Sequence, residues 1–252
     1  MNAALPPLLH THGTDFPDIA TAQREREGLV AVGGDLSPQR LLAAYRQGIF
    51  PWYDEEHPIM WWAFAERMVL KTEALHCGRS LQKLLRNRPY RITVDCAFDH
   101  VIRRCALTWR PGQNGTWLTR EMQRAYRTLH QLGHAHSFEY WYPAEDGSWH
   151  LGGGLYGVMI GRIFYGESMF AHVNDASKIA FAHAVGYLKR LGVPLIDCQV
   201  HTGHLARFGA AQIPFAEFSA YLQQYCALAP LEAVTAGVIA VSPVLGETQF
   251  SE

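Results

Sequence analysis

Residues 136–170 contain three strand-like segments separated by turns, and this block constrains the fold of the chain most strongly. The segments read HSFEYWY, WHLGGGLYGVMI and IFYGESMF, with the polar turn AEDGS and the pair Gly161-Arg162 between them. Apolar and aromatic runs bounded in this way are typical of consecutive antiparallel strands. We therefore expect an antiparallel sheet at this point of the chain.

Helix signals surround these strands. Asn174 or Asp175 can cap a long helix over about residues 176–191, and Pro194 then opens VPLIDCQV, which is apolar at both parities and predicts a buried strand. Another helix is expected at about residues 120–132. This order of elements predicts a mixed α/β or α+β sheet with helices packed against it.

Composition excludes several classes of protein. The chain has 252 residues, of which 48% are hydrophobic, and a net charge of −1, so nucleic-acid binding would need a local basic patch. The five cysteines include no C-x-x-C pair, which favours a reducing compartment. No signal peptide and no apolar run of about 18 residues is present. We expect a cytoplasmic protein without a membrane segment.

A candidate basic patch lies on one predicted helix. Arg79, Lys83 and Arg86 are spaced i, i+4 and i+7, and three leucines fall on the opposite side. A solvated helix face is the commoner meaning of this pattern. A near-neutral protein that binds RNA would need such a face to contact phosphates, so both interpretations stay open.

The sequence lacks common metal and nucleotide motifs. His201 and His204 could share a helix face, but no third ligand has a suitable spacing and there is no H-E-x-x-H. The glycines at 152–154 lie within a strand pattern and lack the G-K-[ST] ending of a phosphate loop. We expect no metal, ATP or NAD cofactor.

One carboxylate, Glu167, lies in a strand-like run of aromatic residues, where an unpaired charge is costly. Regular strand alternation would place Glu167 and Met169 on one face, opposite Ser168 and Phe170. The carboxylate is expected either to pair with a buried arginine or to meet a cationic group of a ligand.

Asp197 and Gln199 are also expected on one strand face, with Cys198 on the other. The carboxylate of Asp197 could accept a hydrogen bond from the side-chain amide of Gln199, which would leave the Gln199 carbonyl free to accept from a ligand. A purely structural pair is the alternative.

Longer motifs carry a family resemblance. GLVAVGGDLSPQRLLAAYRQGIFPWY, PIMWW, GTWLTREM, GESMF, DASKIAF and LIDCQVHTGHLARFGA occur in order, and together they resemble the bacterial leucyl/phenylalanyl-tRNA–protein transferases. The resemblance implies transfer of Leu or Phe, with Met as a further possibility, from aminoacyl-tRNA to the α-amine of a protein that begins with Arg or Lys. The acceptor is thereby marked for N-end rule degradation.

The resemblance also implies an architecture and a set of roles. We expect an α+β protein with a small N-terminal domain at residues 1–65 and a GNAT-like catalytic domain at residues 66–252, whose sheet is mixed, mostly antiparallel and flanked by helices. We also expect no cofactor and a monomer. Gln199, polarised by Asp197, would accept or orient the proton of the attacking amine, with a route through the ribose hydroxyl of the tRNA as an equal alternative.

The remaining roles concern substrate binding. The pocket for the Leu or Phe side chain would be formed by Leu155, Glu167, Met169, Ala184, Leu188 and Ile196. Aromatic residues around the aminoacyl-adenosine would be Tyr45, Trp52, Trp117 and Tyr126, and the cluster that meets the tRNA acceptor stem would be Arg79, Lys83 and Arg86. Glu167 would be a third catalytic residue beside Gln199 and Asp197, and it would lie near the amino group of the substrate or near a hydrogen-bond donor of the pocket.

Three departures from the family pattern qualify the predicted substrate preference. Leu155, Ala184 and Leu188 stand where some family members carry Met or Phe, so we expect a reshaped pocket. Two other functions are considered: an acetyl-CoA-dependent GNAT acyltransferase, whose pyrophosphate-binding loop motif is missing, and a non-catalytic tRNA-binding module, in which Asp197 and Gln199 would be structural.

Overall fold

The computed structural model describes residues 5–108 and 117–245. The outermost parts of both expected domains, and the first two residues of the GTWLTREM motif, lie outside these ranges. The N-terminal part forms a small sheet with strand order β1-β2-β4-β3. Its elements are β1 (Leu8–Leu9), α1 (Ile19–Glu25), β2 (Leu29–Gly33), α2 (Pro38–Arg46), β3 (Phe50–Pro51) and β4 (Met60–Trp62).

The rest of the described chain is built on an eight-stranded sheet with the order β11-β5-β10-β9-β8-β7-β6-β12. Its strands are β5 (Glu66–Lys71), β6 (Arg91–Val94), β7 (Ala135–Pro143), β8 (Trp149–Ile160), β9 (Ile163–Ala171), β10 (Leu195–Asp197), β11 (Ala211–Pro214) and β12 (Gly237–Val241). Strands β9 and β10 are parallel, whereas the other neighbours are antiparallel. The α+β class and the three central strands are therefore confirmed.

Helices cover this sheet. They are α3 (Arg79–Asn87), α4 (Phe98–Leu107), α5 (Arg120–Gln131), α6 (Ala176–Arg190), α7 (Gly203–Ala206) and α8 (Phe215–Tyr225). The long helix is confirmed as α6, but Asp175 at its start has a positive φ of 66° and makes no side-chain capping bond. Its carboxylate instead accepts a hydrogen bond from Lys178 Nζ at 2.6 Å.

Both faces of the large sheet are buried. Neighbouring residues of β8 and β9 point to opposite sides, so Tyr156 and Tyr165 pack into a core that continues into the small N-terminal sheet, whereas Leu155 and Phe164 pack against α6. The first core contains residues from both sheets, which makes it continuous across the expected domain boundary. Over the described ranges, no helix has the length and apolar character needed to cross a membrane.

Candidate active site

A cavity of about 320 Å³ lies where the small N-terminal sheet, the large sheet and α6 meet. This volume falls within the range of about 300–1,000 Å³ typical of small-molecule sites. Its walls bring together nine residues that the sequence assigned to roles: Trp52, Trp117, Leu155, Glu167, Met169, Ala184, Leu188, Ile196 and Gln199. Sequence reasoning missed other lining residues, which include Phe50, Phe164, Phe181, Cys198, His204 and Leu205.

Glu167 reaches this cavity because a β-bulge interrupts the strand that carries it. In the pairing of β8 with β9, Tyr156 lies opposite Ser168 and Gly157 lies opposite Gly166, so Glu167 is the extra residue. The strands approach closely there, and a Cβ on Gly157 would lie 2.2 Å from the carbonyl oxygen of Tyr165. Regular alternation therefore fails at Glu167.

The prediction that Glu167 and Met169 share a face is consequently wrong. Met169 packs against the core on the α6 side of the sheet, whereas the Glu167 carboxylate turns toward Tyr45 and Tyr126, which belong to the other core. Both residues still line the cavity.

Two tyrosine hydroxyls hold the Glu167 carboxyl group. Tyr45 on α2 donates to Oε1 at 2.6 Å, and Tyr126 on α5 donates to Oε2 at 2.8 Å. The family resemblance implied that both tyrosines lie around the aminoacyl-adenosine. Their side chains are completely buried, so neither ring offers a face for stacking on the adenine. The partner of Glu167 is thus a pair of tyrosines rather than the buried arginine considered from sequence.

Burial raises the pKa of Glu167 to about 7, although the hydrogen bonds from Tyr45 and Tyr126 act in the opposite direction. The nearby charge of Asp197 raises the pKa further, and that of Arg67 lowers it. A carboxyl group with this pKa exchanges a proton near neutral pH, which suits a general acid or base.

Asp197 ends β10 and is completely buried. Arg67 on β5 donates to its two carboxylate oxygens from Nε at 2.7 Å and from Nη2 at 2.6 Å. The backbone N–H of Gln199 also donates to Asp197 Oδ1 at 2.9 Å. The predicted bond from the Gln199 side-chain amide is wrong, because Gln199 Nε2 has no hydrogen-bond partner among the described residues.

Gln199 does not continue the strand. Its φ of 55° is in the left-handed region, which costs a non-glycine residue about 1–2 kcal/mol and places the side chain beside the cavity. Its carbonyl accepts from the N–H of Met68, so both backbone groups are fixed. The side-chain Nε2 is buried without a hydrogen-bond partner among the described residues. A strained backbone with an unsatisfied amide is typical of a functional site.

Arg67 is the positioning residue that sequence reasoning missed. Its guanidinium group is fully buried between the rings of Phe50, at 4.6 Å, and Phe218, at 4.9 Å. The available signal was a single arginine within the otherwise apolar run RMVL, which needs a buried carboxylate as a partner.

The predicted basic face lies apart from the cavity lining. Arg79, Lys83 and Arg86 are exposed on α3, and Leu81 on the same helix is buried. Within the part of the chain that the structure describes, no carboxylate lies within ion-pair distance of these three side chains. The face is thus available to an external anion.

Comparisons with known proteins agree with this architecture. A family model described as leucyl/phenylalanyl-tRNA protein transferase matches residues 69–223, and the model of the N-terminal domain of the same enzyme matches residues 34–63. A solved structure of L-PGS from Bacillus licheniformis covers 70% of this chain and 56% of its own, with 10% identity and a TM-score of 0.36. That similarity is too low to support an argument.

Several relatives are much more similar. A leucyl/phenylalanyl-tRNA–protein transferase of Anaeromyxobacter dehalogenans is 58% identical over 82% of this chain and 86% of its own. One from Neisseria meningitidis is 53% identical over 86% and 90%, and one from Saccharophagus degradans is 51% identical over 86% of each chain. These matches place the protein among the aminoacyltransferases. Within that class, the chain belongs to the leucyl/phenylalanyl-tRNA–protein transferase family.

Proposed function

We propose that this protein transfers leucine or phenylalanine from an aminoacyl-tRNA to the α-amine of a protein that begins with arginine or lysine. The observation that carries the proposal is one cavity with an apolar wall, whose polar lining side chains include Glu167 and Gln199. The apolar wall suits the side chain of the transferred amino acid, and the polar side chains suit an amine that attacks its ester. The aminoacyl ester is already activated, so positioning of the two substrates can supply much of the rate.

We assign the substrate parts to regions of the cavity. Leu155, Met169, Ala184, Leu188 and Ile196 contact the leucine or phenylalanine side chain. Trp52, which is 36% exposed, and Trp117 stack on the terminal adenosine of the tRNA. Gln199 orients the amine of the acceptor protein, and the basic face of α3 contacts tRNA phosphates.

The proposal extends to the setting of the enzyme. The described part of residues 66–252 follows the GNAT acyltransferase arrangement, which the mixed sheet flanked by helices supports. The protein acts as a monomer in the cytoplasm, where the cysteines of the described chain are free thiols. Its products are substrates for degradation by the N-end rule route.

The test mixes the purified protein, labelled Phe-tRNA and a peptide that begins with arginine, without ATP or coenzyme A. We expect label on the peptide α-amine. The matched control is the same peptide with an acetylated N-terminus, which keeps the arginine side chain but removes the nucleophile. If label never reaches the free peptide, or reaches both peptides equally, the proposed function is wrong.

A further inference from the structure

Three oxygen-to-oxygen contacts form a closed ring beside the cavity. Tyr45 Oη lies 2.6 Å from Glu167 Oε1, Tyr126 Oη lies 2.8 Å from Glu167 Oε2, and the two hydroxyl oxygens are 2.7 Å apart. Each distance is that of an O–H···O hydrogen bond, which contains one proton. The ring therefore has places for three protons.

The two tyrosines supply only two of these protons. If both hydroxyls donate to an ionised Glu167, the contact between Tyr45 and Tyr126 contains no proton. A proton on Glu167 fills this place, because the carboxyl group then donates to one tyrosine, that tyrosine to the other, and the second tyrosine to the remaining carboxylate oxygen. The same three side chains thus accommodate the ionised and the protonated state, which differ by one proton in the ring.

One member of the ring borders the cavity. Glu167 lines the cavity, whereas Tyr45 and Tyr126 are completely buried behind it. Burial raises the pKa of both tyrosines well above the ordinary value, so their hydroxyls keep their protons and Glu167 is the member that titrates. Other titratable or charged groups around the ring are Tyr156, Asp197 and Arg67, together with Cys198 and His204 in the cavity wall.

We propose that Glu167 is the catalytic residue that takes a proton from the acceptor's ammonium group, and that Tyr45 and Tyr126 are positioning residues that hold this proton in the ring. The inference rests on the proposed function and names the proton acceptor of that reaction. Gln199, whose neutral amide is a very weak base, orients the amine.

The bonds and protons of the proposed transfer balance. An R–NH₃⁺ group and the Glu167 carboxylate become R–NH₂ and a carboxylic acid. The amine nitrogen then forms a bond to the ester carbonyl carbon, the bond from that carbon to the ribose oxygen breaks, and a second amine proton passes to the leaving oxygen. Glu167 returns its proton to solvent. An α-amine has a pKa near 8, so the first transfer is close to balanced in free energy.

The first experiment does not depend on activity. Infrared difference spectra between wild type and Glu167→Gln isolate the band of the protonated Glu167 carboxyl group, which is followed as the pH is raised from about 5 to about 9. We expect a titration midpoint near neutral pH. In Tyr45→Phe the midpoint should move to higher pH. The O–H···O⁻ bond that this variant removes from the ionised carboxylate is charge-assisted, and it is stronger than the neutral bonds that close the protonated ring. Tyr126→Phe provides a second, independent variant. The absence of a titrating band, or unchanged midpoints in both variants, would overturn the ring.

The second experiment tests the catalytic role. Single-turnover transfer from Phe-tRNA to an arginine peptide is measured over the same pH range. We expect Glu167→Gln to lower the transfer rate about 10²–10⁴-fold while its affinity for Phe-tRNA remains within about threefold of wild type. In Tyr45→Phe the acidic limb of the pH–rate profile should move to higher pH, by the same amount as the infrared midpoint. A Glu167→Gln enzyme with near wild-type rate would overturn the proposal.

The two experiments distinguish failure of the proposed function from failure of the proposed role of Glu167. If wild-type protein shows the infrared titration but transfers nothing, the proposed function fails and the proton-holding ring stands. If wild-type protein transfers the label but Glu167→Gln does so equally well, the function stands and Glu167 is not the proton acceptor.

Discussion

Glu167 is expected to make stability depend on pH. Burial raises its folded pKa from 4.5 to about 7, so folding favours the protonated form. Its contribution is fully present below the unfolded pKa, falls as the pH rises, and is lost above the folded pKa. Wild type should therefore lose on the order of 2 kcal/mol relative to Glu167→Gln between about pH 5 and pH 8. Urea denaturation of both proteins at these pH values measures this, and a constant difference between them would contradict it.

Arg67 is expected to contribute to stability mainly through its buried partner. Arg67→Met would leave the Asp197 carboxylate buried without its cation, at a cost of about 3–5 kcal/mol. Replacing both residues, as in Arg67→Met with Asp197→Leu, should recover a large part of this stability, because no charge then stays buried.

The measurement for this pair is the urea midpoint of the two single variants and the double variant at a constant m-value. If the double variant is as unstable as the sum of the single variants, the two side chains are not coupled and the prediction fails.

Sequence reasoning found Glu167 and Asp197, the two carboxylates of the site, but not their partners. A carboxylate among aromatics or on a buried strand is visible in the sequence because its burial is costly. Its partner depends on tertiary contacts, and the tyrosines that hold Glu167 lie 122 and 41 residues away along the chain. Arg67 and Asp197 are separated by 130 residues. Such pairings are set by strand order, which hydrophobic periodicity does not specify.

Helix α6 supplies one wall of the cavity, and Ala184 occupies the position on it where a larger residue is expected to change substrate choice. Ala184 is buried and lines the cavity. Ala184→Phe would fill space needed by a phenylalanine side chain, so the ratio of leucine to phenylalanine transfer should rise about 10-fold or more.

The matched control is Ala182→Phe, on the same helix and buried outside the cavity lining. It should lower stability through overpacking and leave the transfer ratio unchanged. Competition between Leu-tRNA and Phe-tRNA measures the ratio. Equal shifts in both variants would show that the effect comes from core strain.

Helix α3 is expected to contact the tRNA backbone. Replacing Arg79, Lys83 and Arg86 with glutamine should weaken tRNA binding and reduce the slope of log affinity against log salt by about 0.7–0.9 for each phosphate that is no longer neutralised. A control with the same charge change replaces the exposed Arg24, Arg103 and Arg104 on α1 and α4. Binding titrations at several salt concentrations check this, and equal slopes in both variants would reject a specific role for α3.

Sequence patterns located the three central strands, β10 and helices α3, α5 and α6, but missed their irregularities. The three central strands and α6 follow from turn residues and periodicity. The strand predicted as VPLIDCQV is limited to Leu195–Asp197, because Gln199 takes a left-handed conformation. The bulge at Glu167 depends on a close approach of β8 and β9 at Gly157, and neither strand alone encodes it. These two irregularities direct Glu167 and Gln199 into the cavity.

At the scale of the whole molecule, the two sheets are expected to unfold together. Val30 and Trp61 of the small sheet belong to the same buried core as Tyr156 and Tyr165 of the large one, and Tyr165 donates to the backbone carbonyl of Tyr45 at 2.8 Å. A core shared in this way leaves the small sheet without a complete interior of its own, whereas the large sheet also has the core against α6. The family models match the two parts separately, so the sequence alone does not establish this coupling.

The coupling is testable by hydrogen exchange. Val30→Ala removes two methyl groups from a fully buried position in β2 and should cost about 2 kcal/mol. If the molecule opens as one unit, the slowest amides of β8 in the large sheet should lose protection by the same factor as those of β2, about 30-fold. Ile92→Val, in the α6-side core, is the reciprocal control and should lower protection in both strands by a smaller common factor. Loss of protection confined to β2 would instead mean that the small sheet opens independently. The cavity would then lose the wall formed by Phe50 and Trp52, and Glu167 would lose its hydrogen bond from Tyr45. The large sheet would stay folded.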